Sequence, residues 1–179
     1  MKKIILAIGV VLLLTGCTPE TPMESSSNPK YNRSDWGDWI NQGGGCNTRE
    51  LVLKKQGSNV HVDSNCKALS GNWISSYDNV TETNPAKLDI DHIVPIKEAW
   101  DSGATRWSKE KKIQFYNDLD NLVAVTLTSN RQKGDKDPAK WLPIAADRCH
   151  YVAKWKSIKA RYQLDSDPAE VSAINKLHC

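Results

Sequence analysis

Residues 87–94 read Lys87-Leu88-Asp89-Ile90-Asp91-His92-Ile93-Val94, and Pro95 comes next. Leu88 and Ile90 alternate with Asp89 and Asp91, the period of a strand with one apolar and one acidic side. Pro95 then opens a short helix through Trp100, closed by Gly103. Ser108 caps a second helix running to about Tyr116, with Trp107, Ile113 and Phe115 as apolar contacts. Residues 119–127, LDNLVAVTL, are rich in branched side chains and predict a second strand. Thr128 or Ser129 caps a short helix that carries Asn130 and ends near Gly134. The order is therefore a strand with Asp91-His92, a connection, a strand preceded by Asn121, and a helix bearing Asn130. Neighbours on a strand face opposite sides, so Asp91 and His92 can serve one site only where the strand bends or ends, which Pro95 makes plausible.

Outward from this block the signals are more local. Asp35 to Gln42 carries Trp36, Trp39 and Ile40 before Gly43-Gly44-Gly45 breaks the chain. Residues 48–55 are compatible with a helix or a strand, and short strands are expected over 59–63 and 71–77. Asn84-Pro85 is a turn signal, and Asp137-Pro138 reads as the cap and first position of a helical turn. Tyr151, Trp155, Ile158 and Tyr162 recur at helical spacing and form a core face. One α+β domain over residues 35–179 is expected.

The ends set the compartment. Lys2 and Lys3 precede an apolar run, Ile4 to Leu14, of 11 residues. That is short of the ~20 needed to span a bilayer and suits the core of a signal peptide. Leu14-Thr15-Gly16-Cys17 resembles the bacterial lipobox, which implies a signal peptide over 1–16 and a lipidated Cys17 at the mature N-terminus. Residues 17–34, rich in Pro, Ser, Thr, Glu and Asn, then read as a flexible tether. The protein is expected outside the cytoplasm and bound to a membrane through its lipid alone. Thr18 replaces the Asp that commonly retains lipoproteins in the inner membrane, so the outer membrane is expected if the cell is Gram-negative.

Without Lys2 and Lys3 the chain keeps 22 basic against 21 acidic residues, so overall charge gives no argument for a nucleic-acid partner. Cys46, Cys66, Cys149 and Cys179 form an even set in an exported chain, which predicts two disulfides rather than a metal site. Of three possible pairings, Cys46–Cys66 and Cys149–Cys179 are favoured because each staples a local loop and the second pins the C-terminus.

Asp89 to Pro95, Ala99 to Ala104, Asn117-Asp118-Leu119 with Asn121-Leu122, Asn130 through Lys133-Gly134-Asp135, and Trp141-Leu142-Pro143 together resemble the HNH nucleases. The resemblance is to the branch of small secreted proteins that share a domain with modification-dependent restriction enzymes. Cys46-Asn47-Thr48-Arg49 and Cys149 are similar to that branch too, so the likeness covers about 46–179. It implies an embedded ββα-metal (His-Me finger) motif, with His92 as general base and Asp91 and Asn130 as ligands of a divalent metal. Asn121 then braces the loop around His92. Asn130 stands where many members have His, which bears on metal preference.

The chemistry is consistent with those roles. An imidazole with a pKa near ~6.5 can take a proton from water at neutral pH. An Asp carboxylate and an Asn carbonyl are hard oxygen ligands that suit Mg²⁺ or Mn²⁺. Arg49, Arg131 and Lys133, with Lys136, are candidates for phosphate contact, and Lys154, Lys156, Lys159 and Arg161 form a second basic stretch. Asp89 is expected to be solvated or to support the ligands. His61, His150 and His178 have no motif around them. The expected activity is endonucleolytic hydrolysis of DNA with low sequence specificity. The rivals are a ribonuclease using the same site and a non-catalytic envelope lipoprotein; no protein partner is expected. Replacing Cys17 by Ser should move the protein from the membrane fraction to the soluble fraction or leave its signal uncleaved; unchanged fractionation would overturn the lipid assignment.

Overall fold

The computed structural model describes residues 29–179, so the signal peptide, Cys17 and the chain through Asn28 lie outside the described residues. Two short sheets and six helices make up the domain: α1 (Thr48–Gln56), β1 (Ser58–Val62), β2 (Ala68–Ile74), β3 (Thr81–Glu82), β4 (Leu88–His92), α2 (Ile96–Asp101), α3 (Lys109–Tyr116), β5 (Leu122–Thr126), α4 (Leu127–Lys133), α5 (Arg148–Tyr162) and α6 (Pro168–Asn175). It is a mixed α/β single domain with two disulfides. No helix among the described residues is long and apolar enough to cross a membrane.

β4 and β5 pair antiparallel from Leu88↔Thr126 to His92↔Leu122. That register puts Leu88, Ile90, Leu122 and Ala124 on one face, where they pack with Val52, Leu53, Ala68 and Trp73. Trp73 closes this cluster by donating from Nε1 to the Leu53 carbonyl at 2.8 Å. Its ring leaves no room above it: a Cβ at Gly57 would lie 2.4 Å from Trp73 Nε1. The other face of the pair turns Asp89, Asp91, Val123 and Val125 the opposite way, and α4 packs against both strands. Gln56 of α1 occupies the outer edge of β5, bonding Leu122 O at 2.9 Å and Ala124 N at 2.8 Å. β4 keeps its outer edge unpaired, and the candidate site forms there.

A larger core holds the helices. Trp36, Phe115, Tyr151, Val152, Trp155, Ile158 and Tyr162 are buried in it, so the helical stripe on α5 is a core face as its spacing indicates. Helix starts obey side-chain chemistry: Asn47, Ser108, Thr126 and Asp167 accept from backbone N–H groups at the starts of α1, α3, α4 and α6. Residues 48–55, ambiguous in sequence, are helical because of the Asn47 cap. Asp137 caps a single turn over residues 138–140 as expected: its Oδ1 accepts from Ala139 N at 2.7 Å and its carbonyl from Lys140 N and Trp141 N at 3.0 Å each, and no longer helix follows. α6 had no expectation, although Asp167-Pro168 is a cap and first-turn pair. Both expected disulfides are present, with Cα–Cα distances of 4.9 Å for Cys46–Cys66 and 5.4 Å for Cys149–Cys179.

Of the basic stretch on α5, Lys159 and Arg161 are held in ion pairs, while Lys154 is half-buried and Lys156 exposed. Lys159 is buried and its Nζ donates to Glu98 Oε1 at 2.7 Å, Glu170 Oε2 at 2.5 Å and Asp165 O at 2.8 Å. Trp155 Nε1 donates to Glu170 Oε1 at 2.6 Å. Arg161 pairs with Asp118 and Asp120. Lys159 is thereby withdrawn from the surface. Glu170→Ala should cost about 3 kcal/mol, because it removes one of the two carboxylates facing a buried ammonium and strands the Trp155 N–H; urea denaturation showing a loss under about 1 kcal/mol would contradict this.

Candidate active site

His92 ends β4, and three contacts fix the two residues beyond it. Ile93 N donates to Asn121 O at 2.8 Å, Val94 N donates to Asn121 Oδ1 at 2.9 Å, and Asn121 Nδ2 donates to Val94 O at 3.2 Å. Asn121 is fully buried, and these bonds fix the chain after His92. These contacts are of the kind a bracing residue makes.

The imidazole of His92 is stacked near Trp39 and Phe115 and lies 4.7 Å from the Tyr116 ring centroid. Its Nε2 is 2.8 Å from the Tyr116 carbonyl oxygen. A carbonyl only accepts, so Nε2 carries the hydrogen and Nδ1 keeps a free lone pair. Burial is the main force that lowers the His92 pKa from 6.5 to about 3, with Lys133 and Arg33 adding to it. The ring is therefore neutral at physiological pH.

Asp91 is buried beside it. Tyr77 donates to Asp91 Oδ2 at 2.7 Å, and Lys133 Nζ sits 2.8 Å from the same oxygen. Both contacts use Oδ2 and neither uses Oδ1. Burial raises the Asp91 pKa and lowers that of Lys133, while their contact opposes each shift. Burial and the Asp91 charge push the Tyr77 hydroxyl well up, so it remains a donor. Asn130, one turn into α4, donates from Nδ2 to Asp89 Oδ2 at 2.9 Å. That contact directs the amide and leaves its carbonyl oxygen as the unused pole. Asp89 thus supports Asn130, in line with its expected supporting place.

Asp91, His92 and Asn130 all line one pocket of about 400 Å³ together with Tyr31, Arg33, Ile90, Pro95, Ile96, Lys97, Gly134 and Asp135. Asp91 and His92 do point to opposite faces of β4, as alternation requires. They share a site because the strand stops at His92 and its outer edge is open. Among the described residues there is no cluster of three or more His, Cys, Asp or Glu able to hold a metal ion. A pair of hard oxygens, from Asp91 and Asn130, still fits a small divalent ion that retains most of its water.

Two expected phosphate contacts lie elsewhere. Lys133 is fully buried and donates to His92 O at 2.8 Å, because its side of α4 packs on β4. Arg49 pairs with Glu50 and donates to the Pro85 carbonyl at 3.1 Å, near the Leu88 end of β4 and away from the pocket. Arg131 is exposed on α4. Arg33 and Lys97 line the pocket without having been singled out. Tyr31 to Ser34, expected within the tether, pack on the domain: Tyr31 meets Trp100 edge-on at 5.9 Å. The tyrosine, the first aromatic residue after a polar run, was the available signal.

Residues 47–176 match the family described as GmrSD restriction endonucleases, C-terminal domain. The chain belongs to that family. Membership gives this GmrSD-type domain a nuclease-related function and, with it, a nucleic-acid substrate. Residues 1–18 match the prokaryotic membrane lipoprotein lipid attachment site, which supports an extracytoplasmic, membrane-anchored placement. An uncharacterized secreted protein of Arthroderma benhamiae is 42% identical over 170 residues, covering 92% of this chain and 81% of that protein. No solved structure matches the chain.

The His92 environment carries a pH signature in the metal-free GmrSD-type domain. The folded ring resists protonation to about pH 3, whereas the unfolded ring protonates near 6.5. Its contribution is fully present above pH 6.5 and is lost as pH falls toward 3, on the order of several kcal/mol in total. In EDTA, wild type should therefore lose more stability between pH 7 and pH 4.5 than His92→Gln does; parallel losses in the two proteins would refute the buried neutral ring.

Proposed function

We propose that this chain is a metal-dependent endonuclease of the HNH, ββα-metal type, which hydrolyses DNA with low sequence specificity from a lipid anchor in the bacterial envelope. The observation that carries this reading is the meeting of Asp91, His92 and Asn130 in one pocket, on two antiparallel strands that lead into a packed helix. Thr18 after Cys17 favours the outer membrane in a Gram-negative cell.

His92 is the general base. With Nε2–H held by Tyr116 O, Nδ1 accepts the proton of the water that attacks phosphorus. The bond from phosphorus to the 3′ oxygen breaks, leaving 5′-phosphate and 3′-hydroxyl ends once solvent protonates the leaving oxygen. Burial disfavours the ring's cation, so the neutral form that can accept a proton is the one present, as a weaker base than a free imidazole. Asp91 Oδ1 and Asn130 Oδ1 would hold the metal, and Lys133 and Tyr77 on Asp91 Oδ2 keep that carboxylate oriented. A bound Mg²⁺ or Mn²⁺ supplies Lewis-acid stabilisation of charge on the phosphate oxygens.

Three variants separate the roles. His92→Ala should lower cleavage of a plasmid by about 10²–10⁴ while metal still binds. Asp91→Ala should weaken metal binding sharply, since it removes the one charged ligand. Asn130→Ala should recover part of its activity at high Mg²⁺ or Mn²⁺. Cleavage against metal concentration and calorimetric metal affinity measure all three; a His92→Ala protein that cuts as fast as wild type would end this mechanism, and cleavage of RNA in place of DNA would change the substrate.

A further inference from the structure

A polyanion entering the pocket must pass Asp91 and Asp135 as well as the neutral His92. Two cations line the same pocket, Arg33 and Lys97. Lys97 is paired with Asp101 on its own helix. Arg33 is exposed and, among the described residues, forms no ion pair. It is nevertheless held in place. Asn32 caps the 3₁₀ turn Arg33–Trp36, accepting from Ser34 N at 3.1 Å. Trp36 is fully buried against Phe115 and Trp107, at ring distances of 5.5 and 6.0 Å. The guanidinium itself lies 5.9 Å from the centroid of Tyr116, the residue whose carbonyl fixes His92.

From this placement we propose that Arg33 grips a phosphate of the nucleic-acid strand at the pocket mouth, making the segment before the family-matched residues 47–176 part of the substrate site. The inference rests on the nuclease reading above. A guanidinium presents a planar fork of donors that matches two phosphate oxygens, and a fork already seated against an aromatic ring loses little freedom on binding. Among the described residues no carboxylate has to be displaced first, which separates Arg33 from Lys97. Arg33 also bears on His92, since its positive charge helps to keep the imidazole neutral.

The test uses the full chain in detergent. Binding of a duplex oligonucleotide is measured in EDTA over a salt series in the His92→Ala background, where cutting is suppressed, with and without Arg33→Ala. Loss of one phosphate contact should weaken binding about tenfold or more and lower the slope of log affinity against log salt by about 0.9. Arg33→Lys should keep the slope and lose part of the affinity. In the active background Arg33→Ala should raise KM more than it lowers kcat. Arg33→Gln keeps the stem over Tyr116 and reads the same slope if alanine disturbs the turn. Unchanged affinity and slope in both neutral variants would overturn the proposal. Should wild type cut neither DNA nor RNA while the Arg33-dependent slope persists, the nuclease reading fails and the phosphate grip stands.

Discussion

One buried ammonium joins the pieces of this site. Lys133 Nζ meets Asp91 Oδ2 and the His92 carbonyl at 2.8 Å each, from a side chain with no solvent exposure. It ties α4 to the last two residues of β4 and so sets where Asn130 stands relative to Asp91 and His92. A buried ion pair adds little net stability once its desolvation is counted. Its value here is geometric: α4 has no apolar stripe, and without a specific polar contact nothing would fix its rotation on the strands. Tyr77 on the same oxygen completes the arrangement and leaves the opposite carboxylate oxygen unspent.

A second layer of polar contacts supports the first. Asn121 closes a two-bond amide clamp on Val94. Asn117 accepts from Ile40 N and Thr48 Oγ1 and donates to Asp38 O and Ile113 O, which links the N-terminal segment, α1 and the end of α3. The segments Cys46 to Arg49 and Asn117 to Leu119, which carry part of the family likeness, are therefore scaffold. They hold Tyr116, and Tyr116 holds His92.

Much of this was legible in the chain. The alternation of residues 88–91 and the aromatic stripe of α5 each encode an apolar face and form as their period indicates, while the branched run 119–127 is a strand only over Leu122–Thr126, because residues 119–121 make a 3₁₀ turn and Thr126 caps α4. Asp91, His92 and Asn130 were legible because their order along strand, strand and helix is specific, and they meet in one pocket. Lys133 was read as a surface cation because its helix, Leu-Thr-Ser-Asn-Arg-Gln-Lys, offers no hydrophobic pattern to say which side packs. Arg49 failed as a phosphate contact for a similar reason: its partners, the Pro85 and Leu88 carbonyls, are distant in sequence and leave no trace in it. Tyr31 to Ser34 were absorbed into a polar segment whose composition masks a single tyrosine.

The packing of Tyr31 and Arg33 on the pocket rim fixes where the polypeptide leaves the domain on its way to the membrane. If Cys17 carries the lipid, Tyr31 stands 14 positions beyond the anchor. A fully stretched chain of that length spans at most about 50 Å. An anchor at Cys17 would then keep the mouth of the pocket within about that distance of the bilayer surface, whichever way the rest of the domain turns. Cleavage would be confined to a shell a few nanometres deep, so a long polymer meets the enzyme as it threads toward the membrane rather than in the surrounding fluid.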